Sequence, residues 1–283
     1  MLIDTFPYFN ERELLELRIK LLYDHVDKFI ICEGDHTHKG DPKPLTCKQT
    51  LKELGLLTDK VQVVEVKMPS YDQEPDPWVR ERMQRNAVQE FIQEGDVIIV
   101  SDCDEIIDPA VISHHVASVY NLPEKILRLP MVNLNGRADL RVHKTSGEPA
   151  HWWAGFVCGT FHLQKWSLSD LRESATLGKP LLEYTHSHLI LEDHPTMGWH
   201  FTWMGNPQRR KIKKKAFAHW NDKIDGIGNL DSDKLDKFID EYNPAPESTD
   251  PLGREDSILQ PYSTEDLPDL IFKLPAVKKF LFN

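Results

Sequence analysis

Residues 96–106 read Asp-Val-Ile-Ile-Val-Ser-Asp-Cys-Asp-Glu-Ile, with three carboxylates, Asp102, Asp104 and Glu105, in four positions. Oxygen donors packed this closely suit a hard divalent cation such as Mg²⁺ or Mn²⁺. In an extended backbone Asp102 and Asp104 share a face, with side chains roughly 6–7 Å apart from the strand rise per residue. The β-branched run from Val97 to Val100 predicts a buried strand in front of them. Carboxylates at the C-terminal end of a central strand stand where α/β sheets bind ligands. An isolated Asp-x-Asp also arises as the cap of a polar strand-to-helix loop. The preceding strand and the third acid favour a metal site.

Other residues could serve the same chemistry. Arg80, Arg82 and Arg85 open the helix that leads into the acidic strand. Arg82 and Arg85 are three apart and share a face. Guanidinium groups suit bidentate phosphate contacts, although Glu81 and Glu90 could instead hold them as surface ion pairs. His200 lies between Trp199 and Trp203 in Gly-Trp-His-Phe-Thr-Trp-Met-Gly. A neutral imidazole completes cation coordination, and tryptophan faces stack on sugars; an aromatic-flanked histidine also occurs as a satisfied core residue. Glu192 and Asp193 form a second carboxylate pair able to supply a general base. The basic run Arg209 to Lys215 could meet a diphosphate or an anionic acceptor, or form a solvated helix face. The histidines at 36, 38, 114, 115, 186 and 188 lack zinc-site spacing.

The elements that must position these groups alternate. Strands are predicted at Leu2–Phe6, Lys28–Cys32, Val61–Val66 and 97–101. Between them fall helices at Glu11–Tyr23, capped by Asn10, at Cys47–Leu54 ended by Gly55, and at Val79–Gln93 ended by Gly95. This order predicts right-handed crossovers and a largely parallel sheet. Further on, the pattern predicts strands at Lys125–Val132, Phe156–Leu163 and Leu181–Leu191. Helices are predicted at Trp166–Arg172, Asn206–Trp220 and Ser232–Tyr242.

Composition sets the bounds. The chain has 283 residues, 40% hydrophobic and 28% charged, as expected of a globular protein. The net charge of −11 argues against nucleic-acid binding. No apolar run is long enough for a membrane span, and the N-terminus does not read as a signal peptide. Four scattered cysteines, Cys32, Cys47, Cys103 and Cys158, fit a reducing compartment. The expectation is a soluble, cytoplasmic enzyme; oligomeric state is not legible.

The chain resembles glycosyltransferase family 17, the family of β-1,4-mannosyl-glycoprotein 4-β-N-acetylglucosaminyltransferase. The resemblance is carried by Phe6-Pro-Tyr-Phe-Asn-Glu, Leu14-Leu-Glu-Leu-Arg18, Leu22 to Glu33, Arg80-Glu-Arg-Met-Gln-Arg85, Val100 to Ile106 and Gly198-Trp-His-Phe-Thr-Trp203, in order from residue 2 to about residue 220. It implies an α/β, glycosyltransferase A-type fold with a mixed, mainly parallel sheet and flanking helices. Residues 1–243 would form the catalytic domain, with a nucleotide-sugar half over about 1–106 and an acceptor half over about 107–243. Residues 244–283 would be an extension packed on it. The resemblance also implies inverting, metal-dependent transfer from a UDP-sugar, most simply UDP-N-acetylglucosamine, to a glycan or other hydroxyl acceptor. Asp102, Asp104 and His200 would hold Mn²⁺ or Mg²⁺. Glu33, Arg82, Arg85 and Trp199 would lie on the donor side, and Asp193 would be the base, although His194-Pro-Thr-Met separates it from Gly198. Two other classes use parts of the same inventory: a metal-dependent phosphohydrolase of nucleotide sugars, and a non-catalytic carbohydrate-binding protein.

Overall fold

The computed structural model describes residues 1–122, 124–176, 188–189, 196–216, 218, 244–247 and 257–283. The chain divides into two compact units, residues 1–131 with 152–199, and residues 132–151 with 200–283.

The first unit opens as a β/α repeat: β1 (Leu2–Pro7), α1 (Arg12–Leu22), β2 (Lys28–Gly34), α2 (Cys47–Glu53), β3 (Val61–Val66), α3 (Pro77–Asn86) and β4 (Val97–Val100). A short strand β5 (Glu105–Ile107) follows the acidic residues. After the brief helices α4 (Pro109–Val111) and α5 (Ala117–Asn121) come β6 (Ile126–Arg128) and β7 (Met131–Asn135). Strands β8 (Leu140–Lys144), β9 (His151–Trp152) and β10 (Phe156–Gly159), helix α6 (Leu168–Thr176) and strand β11 (His188–Leu189) complete the order as far as residue 189. The sheet of this unit has the order β11-β6-β10-β4-β1-β2-β3. All its pairings are parallel except those of β10 with β4 and β6. This is the mixed, mainly parallel sheet with flanking helices that the sequence led us to expect.

Both faces of the sheet are covered. Ile30 with Cys32, Ile98 with Val100, and Phe156 with Cys158 lie at alternate positions and pack with Val88, Leu168 and Leu171. The intervening Phe29, Ile31, Ile99 and Val157 are also buried, which accounts for the unbroken apolar runs. From β3 the chain crosses back over β1 to place β4 on its other side. The carboxyl ends of β1 and β4 therefore flank the switch point at which open α/β sheets form a ligand crevice. The acidic residues follow β4 directly.

Three local expectations are corrected. Helix α1 begins at Arg12 with Glu11, rather than Asn10, at the cap. The Glu11 carboxylate accepts from the main-chain N–H groups of Phe9 and Asn10. The strand expected at Lys125–Val132 is two strands, because Pro130 has no N–H to continue a ladder. The helix expected at Val79–Gln93 starts at Pro77, where Asp76 caps the Trp78 N–H, and tightens to a 3₁₀ turn at Ala87–Phe91. The helix expected at Ser232–Tyr242 lies outside the described residues, as does most of Leu181–Leu191.

The second unit holds β7, β8, β12 (Gly198–Thr202, from its third residue) and β13 (Ser257–Pro261), in the order β13-β8-β7-β12. Leu140, Val142 and Leu259 form its described core cluster. The C-terminal helix Pro275–Phe282 buries Val277 and Leu281, and the Leu281 carbonyl accepts from the Ala138 N–H.

One buried ion pair dominates the first unit. Arg18 of α1 and Asp4 of β1 are both fully buried, joined by two hydrogen bonds of 2.6 and 2.8 Å. Removing one partner of such a pair leaves a charge without compensation. Arg18→Ala is expected to lower stability by about 3–5 kcal/mol. Lys20→Ala, which breaks the surface pair with Glu16 on the same helix, is expected to cost about 0.3–0.5 kcal/mol. Urea unfolding of the two variants checks the contrast; equal losses would remove Arg18 from its central role.

Candidate functional site

The acidic loop is held by arginines on its inner side. Every N–H of the Arg18 guanidinium is used. Nε and Nη2 meet Asp4, Nη2 also meets Ser101 Oγ at 2.7 Å, and Nη1 donates to the carbonyls of Asp102 at 2.6 Å and Glu105 at 2.8 Å. Ser101 Oγ itself donates to the Glu105 carbonyl. The Phe6 ring lies under the guanidinium, 4.2 Å from centroid to Cζ. Burial alone would pull the Arg18 pKa down, and Asp4 reverses this and raises it.

Two more arginines bind the carboxylates. Arg172 of α6 forms a fork on Glu105 at 2.7 and 2.8 Å, and its Nη2 also donates to Asp102 Oδ2 at 2.6 Å. Arg85 of α3 donates to Asp102 Oδ1 at 2.7 Å and to Glu81 at 2.9 Å. Burial works against the charge of each, but the neighbouring carboxylates together outweigh it, Asp102 with Glu81 for Arg85 and Asp102 with Glu105 for Arg172, and the two pKa values are raised. Trp152 Nε1 and the Asp102 N–H complete the shell of Glu105, at 2.6 and 2.8 Å. The Glu105 carboxylate is thus wholly engaged inside the protein. Asp102 is one-third exposed and bridges two cations. Between the two aspartates, the Cys103 thiol is pushed well above its ordinary pKa by burial and remains protonated.

Asp104 and Glu105 of the first unit and His200 of the second each carry a side-chain atom of a type that binds a divalent cation. All three residues are buried. His200 follows Trp199 directly on β12. Both Glu105 oxygens are engaged by Arg172, Trp152 and the Asp102 N–H. Carboxylate oxygen and imidazole nitrogen are both donors that Mn²⁺ accepts. These are the donor types that the sequence led us to expect for such a cation. Asp102 lies outside this group.

The other predicted residues fall in distinct places. Glu33 is buried at the end of β2, where its carboxylate accepts from the N–H groups of Thr46 and Cys47 at the start of α2 and pairs with Lys43 at 2.9 Å. Arg82 is half-exposed, 3.5 Å from Glu173 and 3.6 Å from Asp76. Arg80 is buried and donates to the carbonyls of His38, Lys39 and Glu74, which pins the loop after β2. Trp199 and Trp203 are both buried rather than open platforms. Trp203 has a left-handed backbone, φ 58°, and its carbonyl accepts from Arg210 at 2.9 Å. Arg210 is thereby an internal strut of the basic helix α7 (Pro207–Ala216), in which Lys214 is also buried. Glu192 and Asp193 lie outside the described residues.

Sequence reasoning missed Asp4, Arg172 and Asn133, whose Oδ1 lies 3.2 Å from His200 Nδ1. An aspartate inside the apolar strand Leu2-Ile3-Asp4-Thr5-Phe6 and an arginine on the Leu14-Arg18-Leu22 stripe were readable as partners. Nothing local marked the other two.

Residues 1–131 match the profile described as Glycosyltransferase family 17. The resemblance read from the motifs is borne out over that stretch, which includes the acidic loop; the Gly-Trp-His motif lies beyond it. No curated protein matches the chain. Among solved structures it resembles "Crystal structure of S. aureus TarS 1-349", with 12% identity and a TM-score of 0.38, covering 84% of this chain and 69% of that one.

Gly198 opens β12 at φ 153°, and a Cβ there would stand 2.3 Å from the Ile106 carbonyl oxygen of β5. Only glycine permits this approach. Gly198→Ala is expected to destabilise by more than about 1 kcal/mol and to lower Mn²⁺ affinity by shifting the strand that carries His200. Thermal unfolding with and without Mn²⁺ measures both effects; wild-type behaviour would show the approach to be dispensable.

Proposed function

Taking residues 1–131 as a glycosyltransferase family 17 segment, we propose that the protein is a metal-dependent, inverting glycosyltransferase. It moves a sugar, N-acetylglucosamine in the simplest reading, from a UDP-sugar to a glycan or other hydroxyl acceptor. The observation that carries this reading is the acidic loop at the switch point of the sheet, braced from within by Arg18, Arg85 and Arg172.

Asp104 and His200, carried over from the motif resemblance, are the proposed cation ligands, with Mn²⁺ favoured by the mixed donor types. When bound, the cation supplies Lewis-acid neutralisation of the departing diphosphate. Asp102, carried over from the motif as a ligand, is here assigned to holding the loop through its two arginines. On the donor side, Arg82 is exposed enough to reach a phosphate or ribose. Glu33 and Arg85 serve through the elements they fix: Glu33 anchors the start of α2, and Arg85 anchors Asp102. Trp199 contributes from within β12, as a wall rather than a stacking face. Asp193 is kept as the proposed base, which takes the proton of the acceptor hydroxyl as that oxygen attacks the anomeric carbon. Among the described residues no helix is long and apolar enough to cross a membrane. A soluble, cytoplasmic enzyme is part of the proposal.

Thermal unfolding with Mn²⁺ and UDP-, GDP- and TDP-sugars tests it. A donor at a hundred times its Kd stabilises by about 2.7 kcal/mol. The expected result is a Mn²⁺-dependent rise in Tm with UDP-sugars, absent in Asp104→Asn. Product release that an acceptor does not accelerate would instead favour a phosphohydrolase. No shift with any donor would remove the nucleotide-sugar assignment.

A further inference from the structure

His200 is buried on β12, and its Nδ1 lies 3.2 Å from Oδ1 of Asn133, itself buried on β7. A neutral imidazole carries one N–H and one lone pair. Only the nitrogen with the lone pair can ligate a cation, so a ligating histidine needs an acceptor for its other N–H. Asn133 supplies that acceptor. It sits among Met131, Val132 and Leu134 on a strand buried along its whole length. A primary amide in such a strand costs free energy unless its polar atoms are paired. Facing His200 satisfies its oxygen.

We propose that Asn133 is a positioning residue: it accepts the Nδ1–H of His200, fixes that tautomer and ring orientation, and thereby makes Nε2 the nitrogen that binds the divalent cation. The proposal rests on the reading of His200 as a cation ligand. Neither the family-matched stretch nor the Gly-Trp-His motif contains Asn133, which reaches the histidine across neighbouring strands of the second unit.

The test is Mn²⁺ titration of the full chain, followed by the electron paramagnetic resonance signal of the free ion. Far-ultraviolet circular dichroism of each variant establishes folding. Asn133→Leu keeps the volume and removes the acceptor; Asn133→Asp keeps an acceptor that cannot donate. Losing an outer partner of a ligating histidine weakens metal affinity by about 10–100-fold, and that loss is expected for Asn133→Leu. Asn133→Asp is expected to bind at least as tightly as the wild type. A purely structural amide would lower Tm in both variants and leave the affinity of folded protein unchanged. A folded Asn133→Leu with wild-type affinity therefore overturns the proposal, as does an Asn133→Asp that loses binding. If Asn133→Leu does not fold, Asn133→Asp alone decides in the same way. A wild type that binds no Mn²⁺ is a separate result: it defeats the metal-dependent reading itself, and this inference with it.

Discussion

The fully satisfied guanidinium of Arg18 is the constraint on which the loop geometry depends. Its five donors join β1, α1 and the loop after β4 through one rigid planar group. The lysine ammonium has three donors and no plane, and could not replace it. Asp4 neutralises the charge, and the carbonyls of Asp102 and Glu105 take the remaining directed bonds. A loop of acidic residues would otherwise repel itself and sample many conformations. Bound in this way, it is ordered at the time of folding.

The electrostatics follow from that anchor. Asp102 and Glu105 face Arg85 and Arg172, and the charge of the buried Glu105, out of reach of water, is the more strongly felt. The carboxylates compensate the buried guanidinium charges, and removing either class would leave the other uncompensated. Asp102 and Glu105 are thus neutralised within the protein, and the ligand role is proposed for Asp104. On that proposal the Asp-x-Asp pattern contains two different jobs, one structural and one directed at a ligand.

Much of this was legible in the residues. The alternation of apolar runs and amphipathic helices placed β1 to β4 and α1 to α3 with errors of a few residues. The β-branched run ending in three acids marked the sheet end that holds the candidate site. What the sequence did not yield has a common physical character. The roles of Glu33 and Arg85 depend on which neighbours reach them in three dimensions: Thr46 and Cys47 for one, Asp102 for the other. Arg172 and Asn133 gain meaning only from contacts 67 or more residues away along the chain. The short strands β5, β6 and β9 are set by pairing rather than by propensity, so no period in the sequence announces them. Pro130 was readable as a break, and its missing N–H explains the divided strand.

The position of β10 has a consequence for how the chain is made. It lies between β4 and β6, although it follows β6 in sequence by 28 residues (156 minus 128). A ribosome that has released only residues 1–131 has delivered the two strands but not the one that joins them. Glu105 at that stage also lacks Trp152 and Arg172, 47 and 67 residues downstream. The nascent segment therefore exposes an unpaired edge on β4 beside a carboxylate with no counterion, and cannot close its sheet. The family-matched stretch, residues 1–131, thus ends before the sheet is complete. Completion waits for the segment through α6, a period of open edges in which chaperone engagement matters most.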